Sequence, residues 1–199
     1  MKTNAFLQRV QQRLPRSSPH SYRFENWEVS GQPTKEGLGI LPVSDVDPEK
    51  LIQCVMDVNN YVGNIDYVEE CRSIQDSRFE TPEQVRFYQR IKIPIIGSIH
   101  HELVLTDLGE QDGLYIAFWE LLERETNALS KRTGYRSQYS DGAWIAGKGM
   151  VGYALRSAPR RDDVGFLKFK AMTKGADVSA SSVIQSNIEA MCRWSRRRR

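Results

Sequence analysis

Long hydrophobic runs are missing from this chain of 199 residues. No stretch reaches the roughly 18 apolar residues that a membrane-spanning helix needs, and no signal-peptide core is visible. Cysteine is sparse. Cys54, Cys71 and Cys192 lack metal-site spacing, and an odd set points to packed thiols in a reducing compartment rather than a disulfide framework. Catalytic signatures are also missing. There is no Gly-x-Ser-x-Gly elbow and no Walker-type spacing, and Gly147-Lys-Gly is too short for a phosphate loop. His100 and His101 are neighbours, so on a strand they face opposite ways and do not easily share one metal ion. The sequence therefore assigns no catalytic residue, no metal site and no cofactor.

Acidic residues are absent before Glu25, while the first 24 residues hold five Lys or Arg and four Ser or Thr. That balance has the character of an organelle transit peptide. The alternative is a short docked helix, because Phe6, Val10 and Leu14 sit four apart and Pro15 stops the run. The body of the chain lacks a positive excess. The net charge is +3, and taking Arg193 and Arg196 to Arg199 from it leaves −2. A nucleic-acid groove needs a basic face across the fold, so no nucleic-acid partner is expected. The arginine tail is either a solvated terminus or a transient contact for anionic membrane.

What is present is a series of short alternating segments closed by an amphipathic one. Tyr22 to Val29 reads as an edge strand, Gly31 to Thr34 as a turn, and Gly39 to Val46 as a short strand that Pro42 places at an edge. Asp47 caps a helix with Pro48 in its first turn and Leu51, Ile52, Val55 and Val58 on one face. Strands are predicted over Asp66 to Ile74, Gln84 to Ile93 and Ser98 to Asp107. Along Gln84 to Ile93, Val85, Phe87, Gln89, Ile91 and Ile93 share one face; along the next, Ile99, His101, Leu103 and Leu105 do. His100 points the other way and is expected to be exposed. A turn is expected at 94–97 and a hairpin loop at Gly109 to Gly113.

Leu114 to Leu122 is almost wholly apolar, so both of its faces should be covered. A charged loop follows. Tyr135 to Tyr139, Trp144 to Ala146 and Val151 to Ser157 read as strands broken by Gly142, Gly147 and Gly149. Phe166 to Thr173 alternates as a last strand. Asp177 then caps a helix reaching about Trp194, with Ile184, Ile188 and Met191 on its buried stripe. Short polar connections favour antiparallel pairing. The fold class is α+β, a curved antiparallel β-sheet wrapped around a long C-terminal α-helix.

In this order and pattern the chain resembles the START and polyketide-cyclase superfamily, the helix-grip fold. The resembling parts are Val46 to Val58, the strand pair Val85–Ile93 and Ser98–Asp107, and Phe166 to Met191; the likeness spans about residues 38–194. It implies a START-like domain over 21–196, after an amphipathic N-terminal extension over 1–20 and before a basic tail over 197–199. It further implies an apolar cavity between sheet and helix that takes a lipid, sterol or polyketide. The inward faces supply candidate ligand-binding residues: Phe87, Gln89, Ile91, His101, Leu103, Tyr115, Trp119, Trp144, Tyr153, Phe169, Ile184, Ile188 and Met191. The same residues would equally fill a solid core. Gln89 and His101 are polar on apolar faces, and each needs a protein group, a water or a ligand as partner.

The reading that follows is a cytoplasmic binding or transfer protein for a hydrophobic small molecule, a lipid above all; organelle targeting by the N-terminal segment is the alternative location. A cyclase- or hydratase-type enzyme using His101 or a tyrosine on the same fold is the alternative function, and a protein-interaction module with a filled interior is the third.

Overall fold

The computed structural model describes residues 4–79, 81–93, 97–122 and 135–198. The chain runs through α1 (Ala5–Gln11), β1 (Arg23–Trp27), β2 (Glu36–Pro42), α2 (Pro48–Met56), a 3-10 turn (Val58–Asn60) and β3 (Val68–Ser73). It continues through β4 (Gln84–Ile93), β5 (Gly97–Gln111), β6 (Leu114–Leu121), β7 (Tyr135–Gly147), β8 (Met150–Pro159), α3 (Arg161–Val164) and α4 (Phe166–Arg197). The strands form one curved sheet in the order β1-β2-β8-β7-β6-β5-β4-β3. Every neighbour in that order is antiparallel, and the starts of β5 and β7 also touch in a short parallel pairing. Of the turn expected at 94–97, only Gly97 is among the described residues, as the first residue of β5; the charged loop at 123–134 lies outside them.

Alternation decides which side each residue serves. On the concave side, Phe87, Leu103, Leu105, Ala117, Trp119 and Trp144 join Ile184, Ile188 and Met191 of α4 and Leu51, Cys54 and Val55 of α2 in one core. On the convex side, Leu38, Ile40, Leu114, Ile116, Phe118, Ala143, Ile145 and Met150 pack beneath Phe6, Leu7 and Val10 of α1. This second core explains why Leu114–Leu121 carries apolar residues on both faces: α1 covers one, α2 and α4 the other. Glu36 binds α1 down. Its fully buried carboxylate accepts from Arg9 Nε at 2.9 Å, Arg9 Nη2 at 2.6 Å and Trp27 Nε1 at 2.7 Å. Paired this way, the buried charge avoids the large cost of desolvation without partners.

Asp47 caps α2 as expected, accepting from the amides of Glu49 and Lys50. Tyr61 Oη donates to the carbonyl of Val55, which fixes the segment after α2 over the core. Several other expectations fail for identifiable reasons. Phe166 to Thr173 is helix, the opening of a 32-residue α4, not a strand. Leu167 and Phe169 mimic a period of two against Lys168 and Lys170, but Phe169, Met172, Thr173 and Ala176 also obey the helical spacing, and the helix wins. Its start is set by Gly165, whose φ of +74° lets the chain reverse out of α3. Asp177 thus lies inside α4 and caps nothing there; its Oδ1 accepts instead from the amide of Lys35 at 3.0 Å.

Pro42 does not mark an edge, because β2 pairs with both β1 and β8; the proline sits at its last position. Gly142 does not break β7, which runs unbroken past it with one irregularity between Ser137 and Tyr139. β5 likewise continues through the expected loop at Gly109, with a bulge between Asp107 and Glu110 and the turn at Asp112-Gly113. His100 is buried, not exposed: its Nδ1 shares a 2.6 Å hydrogen bond with Tyr88 Oη. Three of the terminal arginines are held against the body. Arg196 bonds Asp45, Arg197 bonds Asn64, and Arg198 bonds Asp57 and the carbonyl of Gln53.

Candidate functional site

Between α4 and the concave sheet lies a cavity of about 130 Å³. Its wall is built by strand register. Phe87 stands opposite Leu103, Gln89 opposite His101, and Ile91 opposite Ile99, so three cross-strand pairs of β4 and β5 face inward together. Trp119 of β6, Trp144 of β7 and Tyr153 of β8 continue the wall as an aromatic row. The Trp119 and Tyr153 rings stack at 5.4 Å and 27°, and Trp144 and Tyr153 meet at 4.3 Å and 46°. Met172, Val183, Ile184 and Asn187 form the roof on α4. Tyr61 and Ile65 close the side below α2. Exposed Asn26 and part-exposed Lys35, Asp66 and Tyr67 stand at the rim.

Nine of the sequence-derived candidates therefore line this space: Phe87, Gln89, Ile91, His101, Leu103, Trp119, Trp144, Tyr153 and Ile184. Four do not. Ile188 and Met191 are fully buried further along α4 in the solid part of the core, and Tyr115 packs partly buried near α2. Phe169 is displaced because its segment is helix; it lies part-exposed near the start of α4 and outside the cavity wall. Asn187 was missed, although it carries the same signal as Gln89 and His101, a polar residue within an apolar stripe.

The interior is electrically quiet. His101 is wholly buried and its Nδ1 shares a 3.0 Å hydrogen bond with Ser137 Oγ. Burial, with a smaller push from His100, brings its pKa down to about 3, so the imidazole is neutral at physiological pH. Burial also raises the Tyr61 and Tyr153 phenols above their ordinary values, so both stay protonated. Glu36 and Arg156 border the space, but their side chains meet each other and α1. Lys35, Asp66 and Asp177 stand at the rim with partners: Lys35 near Glu28 at 3.6 Å, Asp66 bonded by Ser186, Asp177 by the Lys35 amide. Two residues of the lining, Asn187 and Ser157, each carry a buried polar atom, Oδ1 and Oγ, without a hydrogen-bond partner among the described residues. Among the described residues no group of three His, Cys, Asp or Glu side chains is placed to hold a metal ion.

The cavity is smaller than the roughly 300 Å³ at which drug-sized ligand sites begin. It is comparable to the engineered apolar cavity of about 150 Å³ that binds benzene. Among the described residues no helix is long and apolar enough to cross a membrane.

No protein-family model and no curated protein matches the sequence. Solved structures do match the fold. A STAR-related lipid transfer protein from Xanthomonas axonopodis superposes with a TM-score of 0.69 at 14% identity, covering 91% of this chain and 97% of that one. Human STARD10 gives a TM-score of 0.65 at 14% identity, covering 90% and 72%. The Zhui aromatase/cyclase from Streptomyces sp. R1128 gives 0.50 at 11% identity, covering 89% and 95%. This chain has the helix-grip fold that START lipid-transfer domains and aromatase/cyclases share.

Proposed function

We propose that this protein binds a hydrophobic small molecule in the cavity beneath α4, and that its role is to shelter or carry that molecule. The observation that supports the reading is the composition of the wall. Aliphatic and aromatic side chains from five strands, β4 to β8, and from α4 converge on unfilled space, and burying apolar ligand surface there gains about 25 cal/mol per Å². Similar structures with lipid-transfer and aromatase/cyclase names make such a ligand chemically reasonable. A lipid larger than the present space requires α4 to shift. The first half of that helix suits such movement, since Leu167 is 81% and Val178 79% exposed and neither packs on the core.

The enzymatic alternative has less to support it. A histidine with its pKa near 3 is a poor proton acceptor at neutral pH, where general bases work best near the operating pH. The test is native mass spectrometry of the purified protein, followed by organic extraction and titration of the emptied protein with a panel of lipids and aromatic compounds. A one-to-one adduct that extraction removes is the expected result. Protein that carries nothing and binds nothing in the panel refutes the proposal.

A further inference from the structure

We infer that the outer face of the elbow between α3 and α4 docks on an anionic lipid surface. Three of the four large hydrophobic side chains that stand exposed among the described residues lie there: Phe166 at 60%, Leu167 at 81% and Val178 at 79%. The helical period explains why they share a side. Leu167, Ala171, Lys174 and Val178 are all exposed and follow one another by four, three and four residues, which is one stripe of a helix. Phe166 and Lys170, also four apart and exposed, flank that stripe. Met172 and Thr173 are buried on the other side, where Met172 packs with Ile99. Exposed apolar side chains gathered on one face, rather than scattered singly, mark a contact surface.

Charge selects the occupant. Asp177 is the only acid between Asp163 and Glu189, and it accepts from the Lys35 amide. Asp163 is bonded by Arg136, which leaves Asp162 as the exposed acid of the elbow. Against it stand Arg161, Lys170 and Lys174, exposed and in no ion pair among the described residues. Arg161 lies over the Phe166 ring at 5.0 Å, so a basic tip and an apolar side chain already sit together. Apolar side chains on such a face enter the boundary between headgroups and acyl chains, while the basic tips meet anionic headgroups. The arginine tail does not supply this contact. Arg196, Arg197 and Arg198 are spent on Asp45, Asn64 and Asp57, roughly 40 Å further along α4 at 1.5 Å per residue. Met172 and Ala176, from the same turns as the stripe, line the cavity, so docking sets one end of its roof against the bilayer.

The experiment is co-sedimentation of the full chain with vesicles of phosphatidylcholine alone and with vesicles containing about one third phosphatidylserine. The anionic vesicles are expected to bind at least about tenfold more tightly, and salt of about 0.5 M is expected to remove most of that preference. Two paired substitutions probe the face: Leu167→Ser with Val178→Ser, and Lys170→Glu with Lys174→Glu. Each pair is expected to weaken binding to the anionic vesicles about tenfold or more. All four side chains are exposed, so the melting temperature should not move. Arg196→Gln with Arg197→Gln is expected to leave binding unchanged. Equal binding of the two vesicle types overturns the inference, as does binding lost with the tail pair but kept in both α4 pairs. No sedimentation with either vesicle overturns it too. If light scattering then shows a dimer that Leu167→Ser with Val178→Ser dissolves, the face belongs to a second copy of this chain. None of these outcomes bears on the binding role proposed for the cavity, which extraction and titration test separately.

Discussion

Adding one methyl group at Gly142 should cost the sheet much more stability than an ordinary glycine-to-alanine change. A Cβ there would lie 1.9 Å from Trp119 Cζ2, 2.1 Å from Trp119 Cη2 and 2.6 Å from the carbonyl oxygen of Ala154. Ordinary carbon contacts begin near 3.5 Å, so the indole edge must retreat by about 1.6 Å. The open direction is into the cavity that Trp119 lines, and taking it breaks the stack on Tyr153. Trp119 is buried and stacked on Tyr153 at 5.4 Å, and the Ala154 oxygen belongs to the sheet backbone. Overpacking of a filled core costs about 1–3 kcal/mol, and losing an aromatic pair adds about 0.5–1.5 kcal/mol. Gly142→Ala should therefore destabilise by about 2–4 kcal/mol. Gly152→Ala is the control. Its nearest atom would be Ile145 Cβ at 3.5 Å, an ordinary contact, and loss of glycine's backbone freedom should leave it within about 1 kcal/mol of the parent. Urea unfolding read by fluorescence gives both values from the midpoints at constant m. If Gly142→Ala unfolds within 0.5 kcal/mol of the parent, roughly the scatter of a neutral substitution, the close approach of indole to strand is wrong, and with it the shape of the cavity wall.

Two further outcomes follow from buried titratable groups. His101 binds a proton in the unfolded chain below its ordinary value of about 6.5, but in the folded protein only below about 3. The unfolded state then holds more protons between these limits. Stability should fall as pH drops from about 6.5 toward 3, by about 1.4 kcal/mol per pH unit at most from this group. His101→Gln should flatten that slope above pH 5, where carboxylates contribute little; an unchanged slope refutes the assignment. The thiols should be inert. Burial raises Cys71 to about 12 and Cys192 to about 11, and raises Cys54 despite the nearby Arg198. A thiol reagent at pH 8 should label none of the three in the folded protein within minutes and all three in guanidinium chloride. Rapid labelling of the native protein would contradict the packing around α2 and α4.

The fold was legible because its boundaries rest on local chemistry. Asp47 followed by Pro48 carries its own start signal, a side-chain cap and a preset φ, and the alternation from Gln84 to Ile93 is readable without its neighbours. The misreadings share a different cause. Phe166 to Thr173 satisfies both a two-residue and a helical period over eight residues, and only the docking of Met172 with Ile99 separates them. Gly142 looks like a breaker because the residue that needs its missing side chain, Trp119, is 23 positions away in sequence. His100 looks exposed because a sheet's outer face usually is; here it shares a hydrogen bond with Tyr88 of the neighbouring strand and the two are buried together. Each error concerns a partner that the local sequence does not contain.

The cavity shows the same dependence on distant partners. Inward-facing residues of β4 and β5 could close on one another as readily as line a space, and nothing in their spacing decides between these. The decision is made on the other side of the sheet. Gly37 and Gly39 stand on the concave face of β2, where a Cβ would come within 3.2 Å and 2.3 Å of Ile184. Two absent side chains let α4 settle against β2 and β8, and α2 braces it from one flank. A helix drawn toward that edge of a curved sheet stands off from part of β4 and β5, although its first turns still reach β5 where Met172 packs on Ile99. The space is left over Phe87, Gln89, His101 and Leu103. Filling either glycine with a larger side chain should therefore push α4 outward at Ile184 and change the cavity, even though neither position belongs to its aromatic wall.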